Sequence, residues 1–316
     1  MSEVTSYQKA CDILLEWDVD LSSSFIAKTS EQFEETQQEL SEARLLELAE
    51  QPLSQSQAAP RVWMIEADGM MIPTRGENQE ISGCSVYKEV KTVIFYLKNT
   101  PSQRFQVSTT KQSSKFAALV HGLMRFAGIR QNDLLVGLAD GARWIGDLFG
   151  DLGVNKHILD VFHAASYFET LLLSLGWSET QRQAERASLL RGEFNMQAWL
   201  NWNVLPKTRV QIMACAALAS GSGHQRLPKE ALAYLENQSL LGRMEYRDFK
   251  ADGFEVIGSG EIEGINKSVL AARLRISGAR WGCGGDGKAF ARGMSASVRQ
   301  VMDFDSVRLT AFPKAA

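Results

Sequence analysis

Two Asp-Gly pairs, each closing an apolar run, are the residues of this sequence best suited to chemistry. Asp68-Gly69 closes the run WMIEADGM, and Asp140-Gly141 closes LVGLADGA. The pattern predicts that Asp68 ends the first buried strand, that Asp140 ends the fourth, and that these two strands are neighbours. Two adjacent carboxylates repel unless a cation offsets their charge, and hard oxygen ligands suit Mg²⁺ or Mn²⁺. Either pair alone is more typical of an ordinary turn.

A third carboxylate is available in the segment GSGEIEGINKS, which is predicted to begin a helix. Glu261 and Glu263 both lie there. Because they are two residues apart, they point about 200° apart on a helix, and only one can face a given site. Acidic residues also favour helix N-termini for electrostatic reasons alone. Two aspartates and one glutamate around two metal ions would suit an in-line displacement at a phosphodiester.

The segment DVFHA offers a further pair, Asp160 and His163, at the junction of a predicted strand and helix. Asp160 is typical of a helix N-cap, and a lone histidine one turn later is often an ordinary polar residue. The carboxyl ends of strands are also where α/β proteins place their sites. We therefore expect both residues on the same side of the sheet as the two aspartates.

A basic region begins within the predicted helix that carries Glu261 and Glu263 and continues beyond it. Residues 264–300 hold seven lysines and arginines against one acidic residue, Asp286, and Trp281 lies among several glycines. Basic side chains around an aromatic ring are typical of contact with phosphates and bases. The predicted DNA contacts are Lys267, Arg273, Arg275, Arg280 and Trp281.

The elements that must position these residues follow from the hydropathy pattern. Three extended runs within 61–109 predict a strand meander, and helices alternate with two more strands up to residue 176. Antiparallel strands followed by βαβ crossovers predict an α/β protein with an RNase H-like mixed sheet. Residues 177–250 have helical periodicity, which predicts an all-helical insertion. Trp199 and Trp202 within it are expected to be buried rather than to stack on a base.

Composition and charge support a division into several regions. The formal charge of −3 combines −9 in residues 1–60, with twelve acidic and three basic side chains, with +6 in the remainder. The segment QPLSQSQAAP is polar, uncharged and ends in proline, as linkers do. The predicted regions are a short helical N-terminal region (1–50), a linker (51–60), the first part of the core (61–176), the insertion (177–250), the final part of the core with the glutamate helix and basic region (251–302), and a tail (303–316).

Other features exclude several classes of protein. With 45% hydrophobic residues in 316, the chain is neither disordered nor a disulfide-stapled mini-protein. The four cysteines lack CxxC spacing, which argues against a zinc ribbon and a disulfide framework. No apolar run approaches about 20 residues, and the N-terminus has no signal-peptide pattern. We expect a cytoplasmic, nucleoid-associated protein with no membrane partner.

Four segments, taken together and in this order, resemble a known family. They are ADGMMIPTR with the downstream YKEVKTVIFY, then GLADGARWI, then ILDVFHA, then IGSGEIEGINKSVLAARLRISGARW, and they span residues 62–282, about two-thirds of the chain. The family is the bacterial insertion-sequence transposases of the ISKra type, relatives of Mutator-like and hAT transposases within the DDE superfamily. The resemblance implies an RNase H-like catalytic domain that is interrupted by a helical insertion before the glutamate.

The same resemblance implies roles for individual residues. The implied ligands of two Mg²⁺ or Mn²⁺ ions are Asp68, Asp140 and Glu263. The family's GSG-x-(Ile/Val)-Glu pattern selects Glu263 over Glu261, and Gly69 and Gly141 support the site. Asp160 and His163 match a (Cys/Asp)-x-x-His motif in which the histidine lies beside the scissile phosphate. The implied partners are transposon-end and target DNA and at least a second copy of the chain, since two ends must be brought together.

These features favour a DDE transposase that performs metal-dependent strand cleavage and strand transfer of an insertion sequence. One alternative is an RNase H-fold nuclease or resolvase, although a minimal resolvase would not need the insertion. Another is a truncated, non-catalytic DNA-binding or regulatory derivative. Relatives usually carry a longer N-terminal region, often with a zinc ribbon or helix-turn-helix, which favours this derivative, whereas the three carboxylates oppose it.

Overall fold

The structure is a computed structural model that describes residues 7–74, 86–214, 218–219, 225–255 and 257–275. The predicted DNA contacts Arg280 and Trp281, the side chain of Arg273 and the predicted tail lie outside the described residues. No helix in the described ranges is long and apolar enough to cross a membrane. The chain divides into two compact units, unit 1 with residues Met1–Leu134 and Gly260–Ala316, and unit 2 with residues Leu135–Ser259.

The protein is a mixed α/β structure whose first eight core elements follow the predicted order. The elements are α1 (Tyr7–Leu15), α2 (Ser23–Ala49), β1 (Val62–Thr74), β2 (Val86–Leu97), β3 (Thr100–Thr109), α3 (Ser113–Phe126), β4 (Leu134–Ala139), α4 (Arg143–Asp151), β5 (Lys156–Leu159), α5 (Val161–Ser174), α6 (Glu179–Leu190), α7 (Met196–Asn203), α8 (Pro206–Ala214), β6 (Leu218–Ala219), β7 (Gln225–Arg226), α9 (Pro228–Leu240), α10 (Tyr246–Ala251), α11 (Gly260–Ile265), a π-helical segment (Asn266–Ala271) and α12 (Ala272–Leu274). Strands β1 to β5 form a mixed sheet in the order β3-β2-β1-β4-β5.

Strand β1 continues well beyond the point that the sequence predicts. It pairs antiparallel with β2 from Trp63 opposite Leu97 to Thr74 opposite Val86. Asp68 lies in the middle of β1, opposite Thr92, so the prediction that Asp68 ends the strand is wrong, and the alternative of an ordinary turn at Asp68-Gly69 does not apply either. The physical reason is that the residues after Gly69 keep the period of two of a strand, with Met70 and Ile72 buried and Met71 exposed, so the strand continues to pair with β2.

The helical run 260–274, which consists of α11, the π-helical segment and α12, lies along β1. Four of its buried residues are four apart, namely Ile262, Asn266, Leu270 and Leu274, and Ile265 is buried as well. The residues of β1 that these four contact, through hydrogen bonds or apolar packing, are two apart: Glu66, Asp68, Met70 and Ile72. Four residues of α-helix rise about 6 Å, and two residues of strand rise about 6.6 Å, so the two series stay in step. The wider π turn offsets the rotation of about 40° that an α-helix accumulates every four residues.

Helix α2 packs closely against α3 in unit 1. A Cβ at Gly122 of α3 would collide with the main-chain carbonyl of Leu45, so only glycine permits this crossing. The carboxylate of Glu42 also forms an ion pair with Lys111. Within the described residues, the acidic N-terminal sequence contains the helices α1 and α2, and α2 is part of the packing of unit 1.

The segment predicted as a linker has neither helix nor strand apart from an isolated bridge between Ser54 and Arg130. It is nevertheless hydrogen-bonded to the loop before β4. Arg130 donates to the Ser56 hydroxyl (3.1 Å) and to the Ala59 carbonyl (3.1 Å), and Asn132 donates to the Ala58 carbonyl (2.9 Å). These bonds hold the segment against the loop before β4.

A buried carboxylate, Asp133, organises the same region. Its oxygens accept hydrogen bonds from Arg61 (2.6 Å), Arg130 (2.9 Å) and the indole nitrogen of Trp63 (3.1 Å). Burial by itself would raise the pKa of Asp133, but the hydrogen bonds from Arg61 and Arg130 hold it well below its ordinary value. The carboxylate is therefore a charged structural centre of unit 1.

Unit 2 contains the parallel pair β4–β5 and helices from the predicted insertion. Trp199 is buried and donates to Glu185 (2.8 Å), whereas Trp202 is 83% exposed, so the expected burial of Trp202 is wrong. Trp202 is two residues from the buried Leu200 and therefore points about 200° away from it on α7. The insertion is also not wholly helical, because the short strands β6 and β7 pair antiparallel within it.

A titratable residue in unit 2 predicts a pH dependence of stability. His157 on β5 contacts the ring of Phe149, with centroids 4.8 Å apart, and burial, with a smaller contribution from Arg243, lowers its pKa to about 3. In the unfolded chain, His157 takes up a proton near pH 6.5, whereas in the folded chain it stays neutral down to about pH 3. The stability that comes from the neutral, buried His157 is therefore fully present above about pH 6.5 and is lost as the pH falls towards 3. At pH 4.5, we expect the free energy of unfolding of His157→Phe to exceed that of the unsubstituted chain by about 2 kcal/mol, which appears as a higher urea midpoint. At pH 7.5, this difference should disappear. Equal midpoint differences at both pH values would contradict the assignment.

Candidate active site

Asp68 is held by both its own strand and the helical run 260–274. One carboxylate oxygen accepts the main-chain N–H of Gly69 (2.7 Å), and the other accepts the side-chain amide of Asn266 (2.6 Å). The carboxylate is half-buried. Asn266 lies three residues after Glu263, and residues three apart are neighbours on a helix surface. The helix that carries Glu263 is therefore fastened directly to Asp68.

Two residues before Asp68, a second acidic side chain points to the same face of the sheet. Glu66 is completely buried and accepts hydrogen bonds from the Tyr96 hydroxyl (2.6 Å) and the main-chain N–H of Ile262 (2.8 Å). Burial and the neighbouring Glu66 carboxylate raise the pKa of Tyr96 well above its ordinary value. Sequence reasoning missed Glu66, although its i, i+2 spacing from Asp68 places both on one face of a strand.

The two glutamates of α11 have different partners, as their spacing predicts. Glu261 is half-buried and forms an ion pair with Arg104 of β3. Glu263 is exposed, and its carboxylate lies 2.6 Å from the ammonium nitrogen of Lys267. Exposed ion pairs of this kind contribute little to stability, so the Glu263 carboxylate can exchange this partner for another cation.

Two of the predicted DNA contacts have intramolecular partners. Lys267 pairs with Glu263, and the guanidinium of Arg275 donates two hydrogen bonds to the main-chain carbonyl of Met71, at 2.7 and 3.1 Å. Both side chains are exposed. The bonds of Arg275 join the end of the helical run to β1.

Asp140 directly follows β4 in unit 2, at the predicted position. Its carboxylate accepts the main-chain N–H of Ala142 (2.8 Å), which closes a tight turn before α4. A Cβ at Gly141 would collide with the Tyr234 hydroxyl and lie 2.8 Å from the amide nitrogen of Gln238. Glycine at 141 therefore allows α9 to pack against the turn that holds Asp140.

Asp160 lies at the same end of the β4–β5 pair as Asp140. Its main-chain N–H donates to the carbonyl of Ala139 (2.8 Å). Its carboxylate caps α5 through the N–H of His163 (2.7 Å), which is the predicted N-cap role. The other carboxylate oxygen accepts both the main-chain N–H (2.6 Å) and the hydroxyl of Ser259. Asp160 thus joins the start of α5 to the end of the GSG segment.

His163 belongs to an aromatic cluster in unit 2. Its ring centroid lies 5.4 Å from Tyr167 and 5.9 Å from Tyr234, and the two tyrosine rings stack at 3.9 Å. The spacing of four residues between His163 and Tyr167 could have indicated one of these contacts. No local sequence signal indicates Tyr234, because it comes from the insertion.

The predicted site residues fall into two groups. Asp68, Glu263 and Lys267 belong to unit 1, whereas Asp140 and His163 belong to unit 2. Within the described ranges, no group of three or more His, Cys, Asp or Glu side chains is arranged to hold a metal ion.

Unit 1 does contain donors that fit a divalent cation. The side-chain oxygen of Asn266 is buried and has no hydrogen-bond partner, and the nitrogen of the same amide contacts Asp68. Carboxylate and amide oxygens are hard ligands of the kind that Mg²⁺ and Mn²⁺ prefer. An oxygen left unsatisfied beside a half-buried carboxylate is therefore compatible with a cation at this position.

Comparisons with known proteins identify no family for this chain. No protein-family model matches the chain, and no curated protein is similar to it in sequence. Among solved structures, the Drosophila P element transposase strand transfer complex is similar at 10% sequence identity and a TM-score of 0.24, over 85% of this chain and 70% of that chain. Similarity at this level establishes neither a fold nor a function for this chain.

Proposed function

We propose that this chain is the catalytic region of a DDE transposase of an insertion sequence, with an RNase H-like core. The observation that carries the proposal is the hydrogen bond between Asn266 and Asp68, which fastens the glutamate helix to the strand that bears the first aspartate. An aspartate on the first strand and a glutamate on a later helix are what the sequence resemblance requires of this catalytic core.

In this proposal, Asp68, Asp140 and Glu263 hold two Mg²⁺ or Mn²⁺ ions. When bound, such ions stabilise the charge on the attacking and leaving oxygens of a phosphodiester. Asn266 orients the Asp68 carboxylate, and His163 lies beside the scissile phosphate. Water and then a DNA 3′-hydroxyl serve as the nucleophiles for cleavage and strand transfer.

The proposed partners are transposon-end and target DNA. Phosphate contacts would come from basic residues of the helical run 260–274 and the segment after it, with base stacking on Trp281. We also propose that the chain acts as a homodimer or larger assembly in the nucleoid, because two DNA ends must be joined in one reaction. The proposed contacts are Lys267, Arg273, Arg275, Arg280 and Trp281.

The test is a cleavage assay on a supercoiled plasmid that carries the coding region with its flanking chromosomal DNA. We expect strand cleavage and joined products in Mg²⁺ or Mn²⁺, and neither with EDTA. Asp140→Asn should abolish both reactions because an amide cannot supply the negative charge that the metal ions require. Asp147→Asn makes the same chemical change at an exposed position of α4 and should leave both unchanged. Full metal-dependent cleavage by Asp140→Asn would overturn the proposal.

The same assay separates the two alternative functions. Cleavage without joined products would identify a nuclease or resolvase. Binding of the plasmid's flanking DNA without metal-dependent cleavage would identify a regulatory derivative that does not catalyse the reaction.

A further inference from the structure

Glu66 is a buried carboxyl group that the proposed chemistry does not use. It has no exposed surface, and it bonds to Tyr96 of β2 and to the main-chain N–H of Ile262. Ile262 is adjacent to Glu263, and Glu66 is two residues from Asp68. A single carboxylate therefore joins the strand that bears one proposed metal ligand to the helix that bears another.

Burying a carboxylate costs free energy, and an apolar residue of similar volume would often be at least as stabilising. What the carboxylate adds is a hydrogen bond, which is a directional interaction. At the far end of the helical run, Leu270 and Leu274 pack against Met70 and Ile72, and such apolar contacts tolerate sliding. The bond from Glu66 to the Ile262 N–H requires one particular main-chain group to lie at one particular position.

This requirement matters because the orientation of Glu263 depends on it. Advancing the helix by a single residue would rotate every side chain by about 100°. Glu66 accepts a hydrogen bond from the Ile262 N–H, and Asp68 accepts one from the Asn266 amide. The two donors lie about one helical turn apart, and the two acceptors lie two residues apart on β1. Together, the two bonds fix both the register and the rotation of α11.

We propose that Glu66 is a positioning residue that sets the separation between the carboxylates of Asp68 and Glu263 by fixing the register of α11 on β1. The proposal rests on the proposed function, since it concerns the geometry of that metal site. We do not assign Glu66 as a ligand, because it is completely buried and both of its oxygens accept hydrogen bonds, whereas the carboxylate of Asp68 is only half-buried.

The test is Mn²⁺ binding to the full chain, measured by electron paramagnetic resonance titration without DNA. We expect Glu66→Met to bind Mn²⁺ about 10-fold more weakly or worse, the range found when supporting residues around a metal site are removed. Glu66→Gln should bind nearly as tightly as the unsubstituted chain, because its amide oxygen accepts the Ile262 N–H and its nitrogen donates to the Tyr96 oxygen. Hydrogen exchange at the Ile262 amide should accelerate in Glu66→Met and stay slow in Glu66→Gln.

Glu66→Asp separates geometry from charge and serves as the second variant if Glu66→Met does not fold. Aspartate keeps the charge but is one methylene too short to reach both partners, so we expect it to bind Mn²⁺ more weakly than Glu66→Gln. The opposite order would mean that Glu66 acts through its charge, and it would overturn the proposal. Val107→Ala, which removes buried volume from β3, controls for lost stability and should leave Mn²⁺ affinity unchanged. A matching loss of affinity in that control would also overturn it.

The outcomes for Glu66 and for the proposed function are distinguishable. Wild-type affinity in Glu66→Met, with binding lost in Asp68→Asn, would overturn only the role of Glu66. Absence of Mn²⁺ binding by the unsubstituted chain would overturn the proposed function, and the role of Glu66 with it.

Discussion

Replacing Asp68 by asparagine is expected to abolish metal-dependent strand cleavage while leaving the protein folded. Neutralising a carboxylate that holds the ions removes several kcal/mol of transition-state stabilisation, so the cleavage rate should fall at least about a thousandfold. The fold should survive because the new amide group can still accept the Gly69 N–H and can donate to the unsatisfied side-chain oxygen of Asn266 once that amide rotates. The measurements are the nicking rate of supercoiled plasmid in Mn²⁺ and the thermal unfolding curve by circular dichroism.

Asp147→Asn is the matched control for this experiment, because its carboxylate is 75% exposed and its ion pair with Arg143 is long, at 4.0 Å. It should cleave DNA at the rate of the unsubstituted chain. If Asp68→Asn also cleaved at that rate, Asp68 would not belong to the site. A large drop in the unfolding temperature of Asp68→Asn would instead mean that its carboxylate is structural.

Replacing Asp133 by alanine is expected to produce the largest loss of stability in unit 1, about 3–5 kcal/mol, the usual cost of breaking a buried ion pair. The substitution leaves the guanidinium groups of Arg61 and Arg130 and the indole nitrogen of Trp63 without their shared acceptor. Because Trp63 donates directly to Asp133, its fluorescence should report the change. Urea unfolding at pH 7 measures the loss.

Two controls define the origin of this effect. Asp252→Ala breaks an ion pair with Lys156 in which Asp252 is 58% exposed, and it should cost less than about 1 kcal/mol. The pKa of Asp133 is held below its ordinary value near 3.9, so its contribution is present above about pH 4 and is lost as the pH falls further. The difference between Asp133→Ala and the unsubstituted chain should therefore shrink below pH 4. A difference that stays constant with pH would exclude the charged interaction as its cause.

The elements of the core were largely predictable because their signals are local. Strand runs rich in β-branched and aromatic residues and the periodic helices between them appear in the sequence in the order that the structure has. The N-cap role of Asp160 and the position of Asp140 after β4 were predictable for the same reason. The position of Asp68 was not, because Asp-Gly is also turn chemistry, and only pairing with β2 carries β1 past it.

The residues that support the site were mostly not predictable. Glu66 and Asn266 look like ordinary polar residues in the sequence, and their importance arises because residues about 200 positions apart along the chain meet. Tyr234 lies beside Gly141 and His163 only because α9 folds back onto α5. Likewise, Trp202 was expected in the core, but it lies on the exposed face of α7, whereas Trp199 and Leu200 lie on the buried face.

The sequence by itself determined the candidate carboxylates, the order of strands and helices, and the charge contrast between residues 1–60 and the remainder, because each depends on residue type and short-range spacing. Only the tertiary structure decided which glutamate is exposed, where Asp68 lies along β1 and how the glutamate helix is fastened to that strand. These properties depend on hydrogen bonds and packing between distant segments. The physical reason is that a buried carboxylate such as Glu66 acquires a function only from the groups that surround it after folding.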